Sequence, residues 1–282
     1  MTGNRAAVVK QDSAPDLAGQ GITIPPQPRV LTEIDQLTRQ PDVGIKAIAG
    51  VIKKDPGIAA SIFKVANSPA MGLSRRIDTV ESAVSIMGIP QVTNIVKGIA
   101  IRQTLAGNTS AYELFWDRAN EIAQIAAAVA TLQRSIINIQ PDQAFMSGLF
   151  HDCGVPILMQ KFPDYCKIFR SSRAAPWPDL AIEDAALHTD HCVVGYLVSK
   201  QWALPEFVQW AIRYHHEIDA VTNPARVIVG LLQLSTHIYC AQHRLDDEAE
   251  WLTSRDAILE ELGLNIHGLS EFSEEIVDRL TG

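Results

Sequence analysis

The sequence predicts an all-α fold, a bundle of many short helices. Aliphatic residues recur at intervals of three and four, which places them on one face of each helix. No stretch alternates apolar and polar residues over the length of a half-buried strand. Aromatic residues make up 6% of a chain that is 47% hydrophobic, so small aliphatic side chains dominate the core and favour helix packing. The 282 residues suffice for one large domain or two small ones.

The N-terminal region is predicted to begin with a leader, residues 1–21, and an extended segment, residues 22–28. The leader is polar, contains Gly, Ser and Pro, and has no apolar period, so we expect it to be disordered. Pro25, Pro26 and Pro28 restrict the next segment to extended backbone, which we expect to lie across the first helices. Helices are then predicted at residues 30–39, 43–54, 58–67, 80–87 and 90–105.

Turn and capping residues set the ends of these helices. Asp55 is suited to cap a helix and Pro56 to occupy its first turn, while Thr79 caps the next helix and Gly88 ends it. The polar run at 107–110 is a loop and marks a subdomain boundary. Residues 22–106 are therefore predicted to form an N-terminal helical subdomain.

Residues 111–245 are predicted to form a second helical bundle, followed by an acidic helical tail at residues 246–282. The long helix at 111–136 is rich in alanine, which lets neighbouring helices approach closely. The further helices are predicted at residues 141–148, 154–160, 179–201, 205–215, 225–243, 247–262 and 270–280.

Charge and composition exclude several classes of protein. The tail carries 11 acidic and 2 basic residues, or −9, so the first 245 residues carry +1 of the total −8. This balance provides no basic footprint for nucleic acid. No apolar run reaches the roughly 18–20 residues that span a bilayer, and no signal-peptide pattern is present. Four scattered cysteines are typical of reduced thiols, and we expect a cytoplasmic location.

The segment 148–154 contains the adjacent residues His151 and Asp152 between glycines. Imidazole and carboxylate groups are ligands for divalent metals. Adjacent residues of a regular helix point about 100° apart, so these two side chains can converge only if the helix breaks at Cys153-Gly154. Asp152 also has an ordinary interpretation as a capping residue beside a partly buried histidine.

Further histidines follow downstream. His188 and His191 fall within the helix predicted at 179–201, where mid-helix positions favour a solvated polar face. His215 and His216 end the helix at 205–215, and histidines at a helix C-terminus are favoured by the helix dipole. The sequence spacing alone does not show whether these side chains meet.

The order of these motifs resembles the HD superfamily of metal-dependent phosphohydrolases, and more closely the HDOD family, the HD-related output domain of bacterial signalling proteins. The resembling features are Asp55-Pro56, the segments 65–69 and 77–84, Met87-Gly88, His151-Asp152, Asp190-His191 with Gly195, the turn 202–205 and His215-His216. The resemblance covers residues 30–244. It implies a multi-helix bundle of HD-domain type, with residues 22–245 forming one HDOD unit.

The chain departs from the enzyme pattern that this resemblance implies. Arg118 stands where the first ligating histidine is expected, and Thr236 stands where the final aspartate is expected. Arginine has no lone pair to offer a metal, and threonine offers only a neutral oxygen. Two of the four core ligands are therefore replaced, which argues against an enzyme.

We accordingly expect a relic site with no cofactor and no catalytic residue. In it Asp152 pairs with Arg118 or with one of the histidines. The residues of this relic site are Arg118, His151, Asp152, His191, His215, His216 and Thr236. If a divalent metal (Fe, Mn, Ni or Zn) were bound after all, the ligands would be His151, Asp152, His191 and His215, and His237 is a further substitute ligand.

The resemblance implies a non-catalytic regulatory module of bacterial signal transduction that acts through protein–protein contacts. The expected partners are sensor kinases, response regulators or cyclases, and a homodimer is a further option. Neither nucleic acid nor membrane is expected as a partner. Two alternatives remain: a metal-dependent phosphohydrolase acting on nucleotides or cyclic dinucleotides, and a sensor that binds a nucleotide without turnover.

Overall fold

The computed structural model describes residues 21–105, 107, 109–168, 180–245 and 248–281. These residues contain helices and no β-strand, which confirms the predicted all-α class. The predicted leader lies outside the described residues except for Gly21. Across the described part of the chain, no helix combines the length and apolar character needed to cross a bilayer.

The N-terminal helices begin and end where local signals predict. They are α1 (Arg29–Thr38), α2 (Ile45–Ile52), α3 (Pro56–Ala66), α4 (Val80–Met87) and α5 (Ile89–Thr104). The Asp55 side chain accepts hydrogen bonds from the backbone N–H groups of Gly57 and Ile58, which caps α3. The Thr79 hydroxyl caps α4, and Gly88 ends that helix with a φ of 87°.

The second half continues with a long central helix and a series of shorter ones. They are α6 (Ser110–Leu132), α7 (Pro141–Phe150), α8 (Gly154–Lys161), α9 (Tyr165–Ile168), α10 (Leu180–Leu187), α11 (His191–Gln201), α12 (Glu206–Tyr214), α13 (Ala225–His243), α14 (Glu248–Glu261) and α15 (Leu269–Thr281).

The continuous helix predicted at 179–201 is wrong. Helix α10 ends at Leu187, and His188 adopts a left-handed backbone with a φ of 56°. The Asp190 side chain then accepts a hydrogen bond of 2.7 Å from the Val193 N–H and starts a new helix, α11. Apolar periodicity runs through both helices, but the cap at Asp190 competes with helix continuation. His191 is therefore the first residue of a helix and not a mid-helix residue.

Helix α6 stands at the centre of the core because its two faces pack against different groups of helices. Ala123 and Ala127 belong to a cluster that joins α1–α5 with α7, α8, α11 and α12. Ile122 and Ile125 belong to a second cluster with α13, α14 and α15. The first cluster crosses the loop at 107–110, so the N-terminal helices share their core with the bundle. The predicted subdomain division remains a prediction.

The extended N-terminal segment reaches the turn between α11 and α12. The indole N–H of Trp202 donates to the carbonyl of Pro25 at 2.9 Å, and the Gln27 amide donates to the carbonyl of Trp202 at 3.2 Å. Its extended backbone is as predicted, and these hydrogen bonds connect it to the half of the molecule that carries the histidines.

Candidate functional site

The His-Asp pair lies in the turn between α7 and α8, where two glycines allow close helix contacts. A Cβ at Gly148 would lie 2.7 Å from the Cα of Ala123, so α7 rests directly on the backbone of α6. A Cβ at Gly154 would lie 2.1 Å from the carbonyl oxygen of His191, so α8 rests on the start of α11. These two contacts fix the turn that carries His151 and Asp152 against α6 and α11. The helix is interrupted at residues 151–153, just before the predicted break at Cys153-Gly154.

Three imidazoles lie against the buried Asp152 carboxylate, which is 1% exposed. The Nε2 atoms of His151 and His215 each lie 3.0 Å from a carboxylate oxygen, and Nε2 of His191 lies 3.4 Å from one. His216 completes the group, with its Nε2 3.2 Å from Nε2 of His191. The structure thus brings together residues that are far apart in the sequence.

In His151 and His215, the Nδ1 atom lies on the side of the ring away from Asp152 and faces a hydrogen-bond acceptor. Nδ1 of His151 lies 2.7 Å from the carbonyl of Gly148, and Nδ1 of His215 lies 3.1 Å from the carbonyl of Ile212. Because a carbonyl oxygen only accepts hydrogen bonds, each Nδ1 carries the proton and donates. In a neutral imidazole, Nε2 then presents a lone pair to Asp152.

Carboxylates play the same role for the other two histidines. Nδ1 of His191 lies 2.6 Å from the Glu183 carboxylate, and Nδ1 of His216 lies 2.8 Å from the Glu250 carboxylate. An acceptor behind Nδ1 is the arrangement that orients a metal-ligating histidine through its Nε2 atom. All four imidazoles therefore turn Nε2 toward the centre.

Two groups of donor atoms that share His215 have the spacing of a divalent transition-metal site: His151, Asp152 and His215, and His191, Cys192, His215 and His216. Two ligand atoms at about 2.1 Å from one ion, separated by angles of 90–110°, lie about 3.0–3.4 Å apart, the range seen between neighbouring ligand atoms here. The carboxylate oxygens of Asp152 and the Nε2 atoms of His151 and His215 lie at hydrogen-bond distance from one another but without hydrogen-bond geometry. Within the described residues, these atoms have no hydrogen-bond partner. Buried polar atoms without such partners are costly unless another group satisfies them.

The local electrostatics favour an ionised Asp152. Burial opposes its charge, but the neighbouring His151 outweighs burial and holds the pKa of this carboxyl well below its usual range. Burial and the neighbouring His216 lower the pKa of His215 well below its usual range. His215 is therefore a neutral imidazole at neutral pH and keeps its capacity to bind a metal.

His191 has the opposite shift. Burial alone lowers its pKa, but the neighbouring Cys192 and Glu183 raise it well above the usual range. Burial also raises the pKa of the Cys192 thiol to about 11, so that thiol is uncharged at neutral pH. Glu183 is therefore the group that draws positive charge onto His191.

Sequence reasoning missed Glu183. This residue is fully buried on α10, and its carboxylate accepts hydrogen bonds from the Tyr165 hydroxyl and from both the backbone N–H and Nδ1 of His191. No motif connects it with His191, eight residues later in the sequence. Cys192 was also missed, and its Sγ lies 3.8 Å from Nδ1 of His215.

Arg118 and Thr236 lie on α6 and α13. Arg118 is buried on α6, with its guanidinium carbon 5.6 Å from the ring centroid of Tyr239 on α13. Thr236 is half-buried on α13, and its neighbour His237 stacks on Trp251 at 3.9 Å. Three of the histidines lie within 3.4 Å of the Asp152 carboxylate.

Comparisons with known proteins agree with this architecture. A family model described as the HDOD domain matches residues 24–218. An uncharacterized protein of Treponema pallidum (strain Nichols) is 24% identical over 210 residues, which cover 73% of this chain and 40% of that protein. The chain thus spans less than half the length of this relative.

Two solved structures share the fold. A candidate signal transduction protein of Marinobacter aquaeolei VT8 is 25% identical with a TM-score of 0.66, and the match covers 93% of this chain and 58% of that one. A candidate phosphohydrolase of Shewanella amazonensis SB2B is 19% identical with a TM-score of 0.70, over 95% and 96% of the two chains, a likeness of fold alone. Because the family model covers well over half of the sequence, the chain belongs to the HDOD domain family.

Proposed function

We propose that this HDOD chain is a signal-transduction module whose buried centre holds one divalent transition-metal ion as a structural element. The observation that carries the proposal is the convergence of Nε2 lone pairs on the Asp152 carboxylate, each imidazole being held from behind by an acceptor. The ligands would come from two groups of donor atoms that share His215: His151, Asp152 and His215, and His191, Cys192, His215 and His216. This proposal departs from the expectation of a metal-free relic.

Charge balance supports the same conclusion. Asp152 and Glu183 bring two carboxylates into the interior, where an uncompensated charge is costly. A bound divalent cation supplies two positive charges to this pair. Without it, protonation of His191 supplies one.

Burial of the centre supports a structural role over hydrolysis. A hydrolytic metal needs an open coordination position that substrate can reach. The side chains of His151, Asp152 and His191 are each no more than 2% exposed. The cationic Arg118 in place of a ligating histidine points the same way.

The output of such a module would be contact with other proteins. The similarity to a candidate signal transduction protein supports this class of function. We propose sensor kinases, response regulators, cyclases or a second copy of the chain as partners, with neither nucleic acid nor membrane among them.

Metal content of the chain purified without a chelating tag tests the proposal. We expect about one equivalent of Fe, Mn, Ni or Zn per chain, and its loss in His151→Ala. His267→Ala, an exposed histidine outside the cluster, is the matched control and keeps the metal. Less than about a tenth of an equivalent in the wild type, even after reconstitution, contradicts the proposal. If the loaded protein hydrolyses phosphodiesters and His151→Ala does not, the alternative of an enzyme replaces it.

A further inference from the structure

A residue beyond the HDOD match contacts the candidate metal centre. The match ends at residue 218, whereas Glu250 lies in the first turn of α14. Its carboxylate lies 2.8 Å from Nδ1 of His216, and Nε2 of the same ring lies 3.2 Å from Nε2 of His191. One imidazole therefore links the C-terminal tail to the buried centre.

The orientation of the His216 ring depends on its contact with Glu250 more than the orientations of the His191 and His215 rings depend on their acceptors. Its side chain is 20% exposed, whereas those of His191 and His215 are at most 6% exposed. A partly exposed imidazole is free to turn toward water or to exchange its tautomer. The Glu250 carboxylate prevents both, because it accepts a hydrogen bond from the Nδ1–H group and leaves the lone pair on Nε2, which faces the centre.

The remainder of α14 is held by apolar contacts that do not involve the centre. Ile258 and Leu259 are buried in the second core cluster. Beside Glu250, the Trp251 ring stacks on His237 with an interplanar angle of 3°. The later turns of α14 are therefore docked by contacts that do not involve the centre.

We propose that Glu250 positions His216 as a ligand, so that metal binding and docking of the first turn of α14 strengthen each other. This inference rests on the proposed metal centre. Coupling between two sites is reciprocal: whatever factor docking adds to metal affinity, the metal adds to docking. Because the Glu250 side chain is 53% exposed, the acidic tail then links metal binding at the buried centre to the protein surface.

Titration of the metal-free full-length chain with Co²⁺ tests the positioning role, because the visible bands of Co²⁺ report its ligands. We expect Glu250→Ala to weaken Co²⁺ binding about 10-fold and to change the band shape. Glu250→Gln keeps an amide oxygen that accepts from Nδ1 and restores most of the affinity. Glu260→Ala removes an exposed carboxylate from the same helix and binds Co²⁺ like the wild type.

Hydrogen exchange measured by mass spectrometry over residues 248–256 tests the reciprocal effect. We expect Co²⁺ to slow exchange there in the wild type and in Glu260→Ala, but not in Glu250→Ala. Equal Co²⁺ affinity and band shape in wild type and Glu250→Ala, with binding abolished by Asp152→Asn, overturns the role of Glu250 and leaves the metal centre standing. Failure of the wild type to bind Co²⁺ overturns the metal centre and the coupling together.

Discussion

Helix α7 has a buried aspartate near each end, and the two carboxyl groups meet opposite surroundings. Asp142 lies in the first turn of α7, and Asp152 lies two residues after Phe150, the last residue of this helix. Both side chains are almost fully buried. The Asn94 amide donates one hydrogen bond of 3.0 Å to Asp142, whose other oxygen finds no hydrogen-bond partner among the described residues. Asp152 instead has imidazoles on both oxygens.

The pKa shifts follow the neighbours and not the degree of burial. Burial raises the pKa of Asp142 because a single amide compensates only part of the lost hydration. The histidines hold the pKa of Asp152 well below its usual range in spite of deeper burial. A buried carboxylate by itself is thus a cost to folding, while one surrounded by oriented imidazoles has the environment of a cation site.

The sharpest test of this contrast is Asp152→Asn, which keeps the shape of the side chain and removes its charge. We expect a loss of about 3–5 kcal/mol in the free energy of unfolding, because buried cationic and polar partners lose their counter-charge. Urea denaturation of chelator-treated protein at neutral pH measures it. A variant as stable as the wild type contradicts an ionised, paired Asp152.

A second substitution acts on the backbone that holds Asp152 in place. Gly154→Ala brings a Cβ within 2.1 Å of the His191 carbonyl and 2.9 Å of the Gly195 nitrogen, so α8 and α11 must separate. We expect a loss of about 2–3 kcal/mol from overpacking, together with loss of metal binding.

Gly50→Ala is the matched control for this substitution, since the space around that helical glycine is open. It is expected to gain up to about 1 kcal/mol. Thermal unfolding of both variants gives the comparison. Equal melting temperatures for Gly154→Ala and wild type contradict the close helix contact.

A smaller effect is expected from Glu183→Gln, because this change keeps one acceptor oxygen. The new amide group meets donors from Tyr165 and His191, so we expect a loss of about 1–2 kcal/mol in unfolding free energy. Metal affinity is expected to fall about 10-fold as His191 loses its orienting partner. The neighbouring Asp184→Asn is the control, since Asp184 is exposed. Urea denaturation and Co²⁺ titration measure the two effects, and no difference between the two variants contradicts the role of Glu183.

The smallest expected change in the free energy of unfolding is a gain. Asp142→Asn is expected to stabilise the fold by about 1 kcal/mol at neutral pH, because it removes a buried charge that has one donor. The folded pKa of Asp142 is raised above its ordinary value of 3.8, so the folded state binds the proton more tightly. The gain therefore grows as pH rises from about 3.8 through the folded pKa, and it vanishes below that window. Denaturant curves at several pH values measure it, and a gain independent of pH points to another cause.

Much of the helical layout could be predicted because its signals are local. Asp55, Thr79 and Gly88 act on their own turns, and the structure confirms each. The helix at 225–243 also has the predicted bounds. The prediction failed at 188–190, where the apolar period continues but the Asp190 side chain competes for the backbone N–H of Val193.

The candidate site was predictable only in part. The His-Asp pair and the histidines downstream were visible as residue types, but the carboxylates of Glu183 and Glu250 were not. These two residues contact His191 and His216 across 8 and 34 positions of the chain. No periodicity connects such positions, since long-range contacts depend on how helices are placed and not on local spacing.

The sequence by itself determined the all-α class, most helix ends and the residue types available for a site, because periodicity and capping act within a few residues. Only the tertiary structure decided that three imidazoles lie against Asp152 and that a fourth meets one of them. That convergence depends on the direct approach of α7 to α6 and of α8 to α11 at Gly148 and Gly154. It also depends on Glu183 and Glu250, carboxylates on other helices that decide which ring nitrogen of His191 and His216 carries the proton.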